Sequence, residues 1–332
     1  MKNTGNESAD YKIYKTELNK IELRLAKLLK GKKPGSLYEP CSYILNGGGK
    51  RIRPFLVLIS AKAVGSEFNK VYNAAIAVEI LHNFTLVHDD IMDNSDKRRG
   101  RQTLHKKYDI STAILSGDNL VALAYENLLK DCYENINSVV SIFTKGVVEV
   151  CEGQSLDKEF ELRKRVSIPE YKRMIYKKTA ALIETCCSIG AQLANADQKQ
   201  LMVVSDFGRN LGMAFQIQDD LLDITAKESE FGKLIGGDLI EGKKTYMFLR
   251  ALEKAKGKDK ENLLKVVRQK GIKHREIQKY KNIYIKLGIL KDAEREIEKY
   301  TKLALKNLSS LPNEEGKALM HWLANFLINR NK

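Results

Sequence analysis

Two short segments of the chain each gather three carboxylates. They are Leu86-Val-His-Asp-Asp-Ile-Met-Asp93 and, about 130 residues further on, Phe215-Gln-Ile-Gln-Asp-Asp-Leu-Leu-Asp223. Each reads D-D-x-x-D within an apolar helical pattern. On a helix, residues i and i+4 lie one above the other. Asp89 therefore stacks with Asp93 and Asp219 with Asp223, with Asp90 and Asp220 beside them. Three carboxylates on one turn repel one another and are costly to desolvate, so positive charge has to face them. Hard oxygen ligands suit Mg²⁺, which takes one or two carboxylates and fills its shell with water and substrate phosphates. One such motif could equally be a solvated acidic turn. Two copies in apolar surroundings point to helices facing across a cleft, with several Mg²⁺ ions around a diphosphate.

Other residues fall on the same helical stripes. His82 precedes Asp89 by seven positions and Asp93 by eleven, and Gln216 precedes Asp219 by three. His82 reads equally as a ligand-binding residue or a satisfied core histidine. Cations are also present. Gly47-Gly-Gly-Lys-Arg-Ile-Arg-Pro54 offers flexible backbone followed by Lys50, Arg51 and Arg53, and guanidinium groups fork onto phosphate oxygens. Lys97-Arg-Arg-Gly-Arg101 follows the first acidic cluster directly, and Lys178-Thr179 supplies another cation with a hydroxyl beside it. Gly237-x-x-x-x-Gly242-Lys243 nearly spells a phosphate-binding P-loop. It fails because Lys244 stands where a hydroxyl should ligate Mg²⁺ and no strand precedes it. Lys233 and Lys243 remain as flexible cations over a second phosphate.

These residues need a scaffold, and the pattern predicts helices. Strand signals are scarce: there is no Asp-Gly, and the Asn-Gly at Asn46-Gly47 leads into a glycine run rather than joining two alternating segments as a hairpin turn would. A helical period runs through Leu201, Val204, Gly208, Leu211, Phe215 and Leu222, and Ser167-Ile-Pro-Glu170 spells a capping box. The fold class is all-α. With 332 residues, 43% of them hydrophobic and 30% charged, the chain is globular and large enough to bury its own core. No Pro/Gly/Ser-rich linker divides it, so one domain over 1–332 is expected despite the length. The five cysteines show no C-x-x-C spacing and read as reduced thiols of a cytoplasmic protein. No apolar run approaches the roughly 18 residues of a membrane span, and Met1–Lys20 is too polar for a secretory signal. The Lys- and Glu-rich stretch Glu253–Leu308 is expected to form solvated helix faces laced with ion pairs. A net charge of +15 admits nucleic acid, an anionic membrane or a small polyanion as partner, and the motifs favour the last.

Taken together, Gly48-Gly-Lys-Arg-Ile-Arg-Pro54, the stretch Leu81–His105, Gly153-Gln-x-x-Asp157, Lys178-Thr179, Phe215–Asp223 and the run from Phe231-Gly-Lys to Gly242-Lys-Lys-Thr245 resemble the short-chain trans-prenyl diphosphate synthases. The resemblance spans roughly residues 40–250 in the family's order. Residues 1–40 would be an N-terminal helical extension. Gln102 and Leu234 each replace a proline common in the family, which touches loop geometry but no ligand. The resemblance implies the isoprenoid synthase fold, a single large helical domain around a central cavity. It also implies a homodimer, three Mg²⁺ per active site, and isopentenyl and allylic diphosphates as substrates. No nucleic-acid partner is implied, and a passing membrane contact would serve release of the greasy product.

Roles follow from the same resemblance. Asp89, Asp90 and Asp93, with Asp219 and Asp223, would hold Mg²⁺ on the allylic diphosphate, and Asp220 completes the second cluster. Arg98, Lys178, Lys233 and Lys243 would neutralise that diphosphate. Lys50, Arg53, His82 and Arg99 would bind the diphosphate of isopentenyl diphosphate. Thr179 and Gln216 would aim oxygen dipoles at the developing cation. Phe84 and Thr85, one turn before Asp89, would point down the tail cavity. One aromatic with a small neighbour resembles geranylgeranyl synthases of archaeal type, whereas two aromatics would resemble farnesyl synthases.

Rival readings fit less well. His82 and His88-Asp89 could belong to an all-α phosphohydrolase, but the two histidines face different directions on one helix. A terpene cyclase would not need Lys50, Arg53 and Arg99 for a second diphosphate. A regulatory subunit would have lost one acidic cluster, and both are intact. Nucleic-acid binding rests on net charge alone, without a pattern of stacking aromatics.

Overall fold

The segment from Tyr72 to Leu81 contains only two side chains that are neither apolar nor aromatic, Asn73 and Glu79. A helix that is apolar on every face has to be surrounded by others. In the computed structural model, which describes residues 8–226 and 235–328, this segment opens helix α4 (Tyr72–Met92). Ala74 to Ala77 are all but inaccessible, as are Val78, Ile80 and Leu81. The Asp131 carboxylate accepts from Asn73 Nδ2 (2.7 Å) and from the backbone N–H of Ala74 (2.8 Å), satisfying a donor of the first turn.

The chain contacts group into two compact units built from interleaved segments. The first comprises Met1–Lys145, Thr185–Ser205 and Leu308–Trp322. Within it, α1 (Ala9–Leu28), α2 (Gly35–Leu45), α3 (Ile52–Ala63) and α6 (Ile110–Leu129) surround α4, with α6 making the most extensive contact. Between α4 and the short α5 (Leu104–Lys107) lies a two-residue hairpin that the sequence patterning did not anticipate. Lys97 pairs with Gln102 and Arg98 with Arg101. Its turn is Arg99-Gly100, both at positive φ (52° and 75°), the mirror-image turn that matches strand twist. Sequence rules look for Asn-Gly at such a turn, and here an arginine takes the strained position.

The second unit comprises Gly146–Glu184, Asp206–Asn307 and Leu323–Lys332. Parts of α7 (Ile136–Leu162), α9 (Ala181–Leu193) and α10 (Gln198–Thr225) belong to it, as does α8 (Ile168–Ile175). Ser167 caps α8 in the expected capping box, and the backbone N–H and hydroxyl of Ser167, with Arg163, pull the Glu170 carboxyl down to about 2. The Lys/Glu-rich stretch forms amphipathic helices. Their charged faces carry pairs such as Lys302–Glu298 (2.6 Å), while Leu263, Tyr280, Tyr284 and Ile297 enter the same core as Tyr171, Ile217 and Phe248. All five cysteines are free thiols. No described helix is long and apolar enough to cross a membrane.

Candidate active site

Both acidic clusters occupy the last turns of long helices, Asp89–Asp93 at the end of α4 and Asp219–Asp223 at the end of α10. In the first, Asp90 is buried and receives Arg98 through both Nε and Nη2 (2.8 Å each). Asp90 is therefore engaged by a guanidinium, while Asp93 is exposed and Asp89 half-exposed. Arg98, expected on substrate phosphate, rests on Asp90 in this state.

The glycine-rich loop before α3 is arranged around Arg51. This residue sits in the left-handed region (φ 45°) and is almost fully buried. It donates to Glu22 Oε1 (2.7 Å), Glu79 Oε1 (2.5 Å) and the Leu45 carbonyl (2.7 Å). Arg51 thus acts as an internal clamp, unlike the phosphate-facing role its place in the basic run suggests. The Tyr14 hydroxyl donates to the Lys50 carbonyl, so the N-terminal helix α1 holds this loop from two points. The hairpin docks on the same loop. Arg99 donates to the Gly48 carbonyl, Arg101 to that of Asn46 (3.1 Å), and the Tyr43 hydroxyl to that of Gln102 (3.0 Å).

Arg53 Nη1 lies 3.0 Å from His82 Nε2. Burial, then Arg53, Arg99 and Arg98, pushes the His82 pKa well below its ordinary value, so the ring is neutral. A guanidinium can only donate, so Nε2 accepts and the ring proton resides on Nδ1. That Nδ1 is buried without a protein partner. A donor so placed, amid Arg53, Arg98 and Arg99, suits an anionic oxygen.

In the second unit, Lys178 and Thr179 lie on a π-helical turn, Tyr176–Ala180, between α8 and α9. Such turns re-aim side chains within a helix. Two glycines allow flanking helices to approach its backbone. A Cβ on Gly153 of α7 would lie 2.1 Å from the Lys178 nitrogen, and one on Gly212 of α10 would lie 2.5 Å from Ala180 Cα. Lys178 Nζ pairs with Asp157 Oδ2 (2.5 Å), which gives the Gly153-Gln-x-x-Asp157 motif its role. The Thr179 hydroxyl donates to Gln216 Oε1 (2.9 Å), and Gln216 Nε2 donates to Asp220 Oδ1 (3.1 Å). Asp220 Oδ2 also accepts from the Tyr171 hydroxyl (2.5 Å) and the Tyr246 N–H (2.9 Å). Like Asp90, the middle Asp220 is held by protein donors. Gln216 likewise spends its oxygen on Thr179, leaving the Thr179 oxygen lone pairs for the cavity. That cavity is lined by Lys178, Thr179, Gln216, Asp220, Asp238 and Lys243 among others.

Asp238 escaped the motif search, although Gly236-Gly-Asp238 could have flagged it. Its N–H donates to Asp223 Oδ2 (3.3 Å), and Lys243 Nζ lies 3.9 Å from its Oδ1 and 2.7 Å from Glu241. Burial and then Asp238 push the carboxyl groups of Asp220 and Asp223 up, Asp223 to about 7. The cluster is short of positive charge. Among the described residues no three His, Cys, Asp or Glu side chains converge into a ready cage. Hard carboxylates that leave most of the shell open fit Mg²⁺ arriving with phosphate and water. Lys233 lies outside the described residues, as does Leu234.

A profile of the family described as "Polyprenyl synthetase" matches residues 34–284. The chain belongs to the polyprenyl synthetase family. It is 42% identical over 303 residues to a geranylgeranyl diphosphate synthase of Sulfolobus acidocaldarius, covering 89% of this chain and 91% of that one. It is also 36% identical over 318 residues to a geranylfarnesyl diphosphate synthase of Natronomonas pharaonis, covering 90% and 91%. The crystal structure of geranylgeranyl pyrophosphate synthetase from Pyrococcus horikoshii Ot3 superposes with a TM-score of 0.89 at 35% identity, covering 97% of this chain and 98% of that one. The isoprenyl synthase fold of these polyprenyl synthetases is all-α, as the sequence implied.

Three outcomes are expected. Arg51→Met strands the buried Glu79, lowering stability by about 3 kcal/mol and raising the KM for the second diphosphate substrate more than that for the first. Chemical denaturation and steady-state kinetics check both effects, and equal KM changes would separate Arg51 from the loop. Gly153→Ala pushes the π turn away from α7 and should lower kcat about 100-fold; single-turnover kinetics on protein shown to be folded give the answer. The third concerns pH. Folding raises the Asp223 pKa, so between about pH 4 and 7 the folded chain binds more protons than the unfolded chain. This group's contribution is full at acid pH and lost as pH rises toward 7. In EDTA, Asp223→Asn should melt about 2–4 °C above the wild type at pH 8, with the gap closing toward pH 4. Equal melting at pH 8 would show that the carboxylate carries no excess charge.

Proposed function

We propose that the protein condenses isopentenyl diphosphate head-to-tail with dimethylallyl, geranyl and farnesyl diphosphates, and that its main product is geranylgeranyl diphosphate. The carrying observation is two D-D-x-x-D helix ends, each with cations beside it, Arg98 at the first and Lys243 at the second. Magnesium dependence is general in this family, and in this reading three Mg²⁺ ions, held by Asp89, Asp93, Asp219 and Asp223, would draw charge from the leaving diphosphate. Arg98, Lys178 and Lys243 exchange their carboxylate partners for phosphate oxygens when the allylic diphosphate binds, and so are already in place as its C–O bond ionises. Lys233 joins them in this proposal. His82 Nδ1–H, Arg53, Lys50 and Arg99 hold the second diphosphate, orienting its double bond for attack on the allylic cation. The oxygen of Thr179, turned by its bond to Gln216, faces the developing positive charge. The proton then leaves to the departing diphosphate.

Neither unit alone carries both acidic clusters, which supports treating 1–332 as one catalytic domain. A homodimer is part of the proposal. Its support is an exposed apolar face on α6, with Ile110, Ile114, Leu115 and Leu129 each more than two-fifths accessible. A cytoplasmic enzyme whose product enters a membrane surface completes the reading.

The product length follows from Phe84 with Thr85 beside it, and from the name of the Sulfolobus acidocaldarius relative. The geranylfarnesyl name of the Natronomonas pharaonis relative keeps a C25 product as the second reading. The test is incubation of purified protein with Mg²⁺, isopentenyl diphosphate and each allylic starter, with products resolved by length after dephosphorylation. A C20 product lost with EDTA and in Asp89→Ala is expected. A C25 or C15 product would retain the condensation and overturn the length. No product from any starter would favour a regulatory subunit.

A further inference from the structure

Phe84 lies five residues before Asp89 on α4 and is half-buried, although Asn83 and Val87 beside it are fully buried. Its ring meets the edge of His88, with centroids 4.7 Å apart and planes at 66°. One turn separates the two residues on the helix, so both stand on one face. His88 is in turn seated on α6. A Cβ built on Gly117 would lie 2.2 Å from His88 Nε2 and 2.6 Å from Cδ2, so the imidazole occupies the space that any larger residue at 117 would fill. His88 Nε2 is buried without a hydrogen-bond partner, and the nearest carboxylate oxygen recorded for it, Asp118 Oδ1, is 3.9 Å away. The ring is held by shape, between Phe84 and the bare Cα of Gly117.

We propose that His88, seated on Gly117, is a positioning residue that holds Phe84 in place as the floor of the tail cavity and thereby sets product length. The inference rests on the reading of Phe84 as that floor and adds the residues that support it. His88 does not touch the reacting atoms. Its influence passes through the packing of one aromatic ring, so it should alter which products form rather than whether they form.

The test compares Phe84→Ala, His88→Ala, Gly117→Ala and the doubles F84A/H88A and H88A/G117A, each with Mg²⁺, isopentenyl diphosphate and farnesyl diphosphate. Chain-length distribution, total turnover and melting temperature are recorded. Phe84→Ala should lengthen the products. His88→Ala frees the ring and should raise the fraction of products longer than the wild-type main product about tenfold, the low end of what pocket volume does to discrimination. Gly117→Ala presses the imidazole toward Phe84 and should shift the distribution shorter. F84A/H88A should match F84A alone, and H88A/G117A should match H88A alone because the added methyl then has room. If Gly117→Ala does not fold, His88→Ala still decides, since it only trims a half-exposed side chain. Lengthening in Phe84→Ala with an unchanged distribution in His88→Ala overturns the proposal. An unchanged distribution in Phe84→Ala refutes the floor itself, and absence of condensation by the wild type refutes the proposed function.

Discussion

Negative charge collected at the wrong end of a helix is the constraint around which this protein is organised. The C-terminus of a helix already carries partial negative charge from its unpaired carbonyls, and carboxylates there are ordinarily disfavoured. Both D-D-x-x-D clusters sit at such an end, on α4 and on α10. Asp238 adds a further carboxylate beside Asp223. Burial first, and then the neighbouring Asp238, raise the pKa values of Asp220 and Asp223. Such an arrangement is unfavourable for the chain alone and becomes favourable once cations bring a polyanion with them. In the proposed function the instability at these helix ends is the source of the affinity.

The protein limits that cost with a regular division of labour. In each cluster the middle aspartate is buried and satisfied by protein donors, Asp90 by Arg98 and Asp220 by Tyr171, Tyr246 and Gln216. A buried carboxylate with full hydrogen bonding is tolerable where a bare one is not. The outer aspartates are left nearer solvent, where ligands can reach them. The cations proposed to meet substrate are held in the same spirit. Lys178 waits on Asp157 and Lys243 on Glu241, so each is oriented before a phosphate arrives. Preorganised charge of this kind acts without reorganising at the moment of reaction.

The motif-bearing parts of this scheme were legible in the sequence because charge and spacing survive projection onto one dimension. The i, i+4 carboxylates, the Ser167 capping box and the apolar core of α4 all depend on neighbours along the chain. Arg51 was not legible. Its partners Glu22 and Glu79 are distant in sequence, and an arginine in a basic run looks the same whether it faces a phosphate or two buried glutamates. The π turn at Tyr176–Ala180 was hidden for a related reason. It is fixed by close approach of Gly153 and Gly212, and a helical glycine does not announce what its missing Cβ makes room for. The hairpin at Arg99-Gly100 was missed because its turn conformation comes from docking on the glycine loop rather than from turn-forming residue types.

Chemistry and specificity share one rod in this molecule. Asp89 at the end of α4 and Phe84, the proposed floor of a tail cavity, lie on the same continuous helix, about 7.5 Å apart along its axis at 1.5 Å per residue. A helix packed as extensively as α4 is against α6 cannot slide or bend without disturbing a closely packed core. In the proposed function the depth of the cavity would therefore be measured from the carboxylates by a rigid ruler, and changing Phe84 or its supports would move the floor without moving Asp89. In the proposed function the ionisation step belongs to the helix ends and their ion pairs, whereas product length belongs to side-chain volume one turn below them.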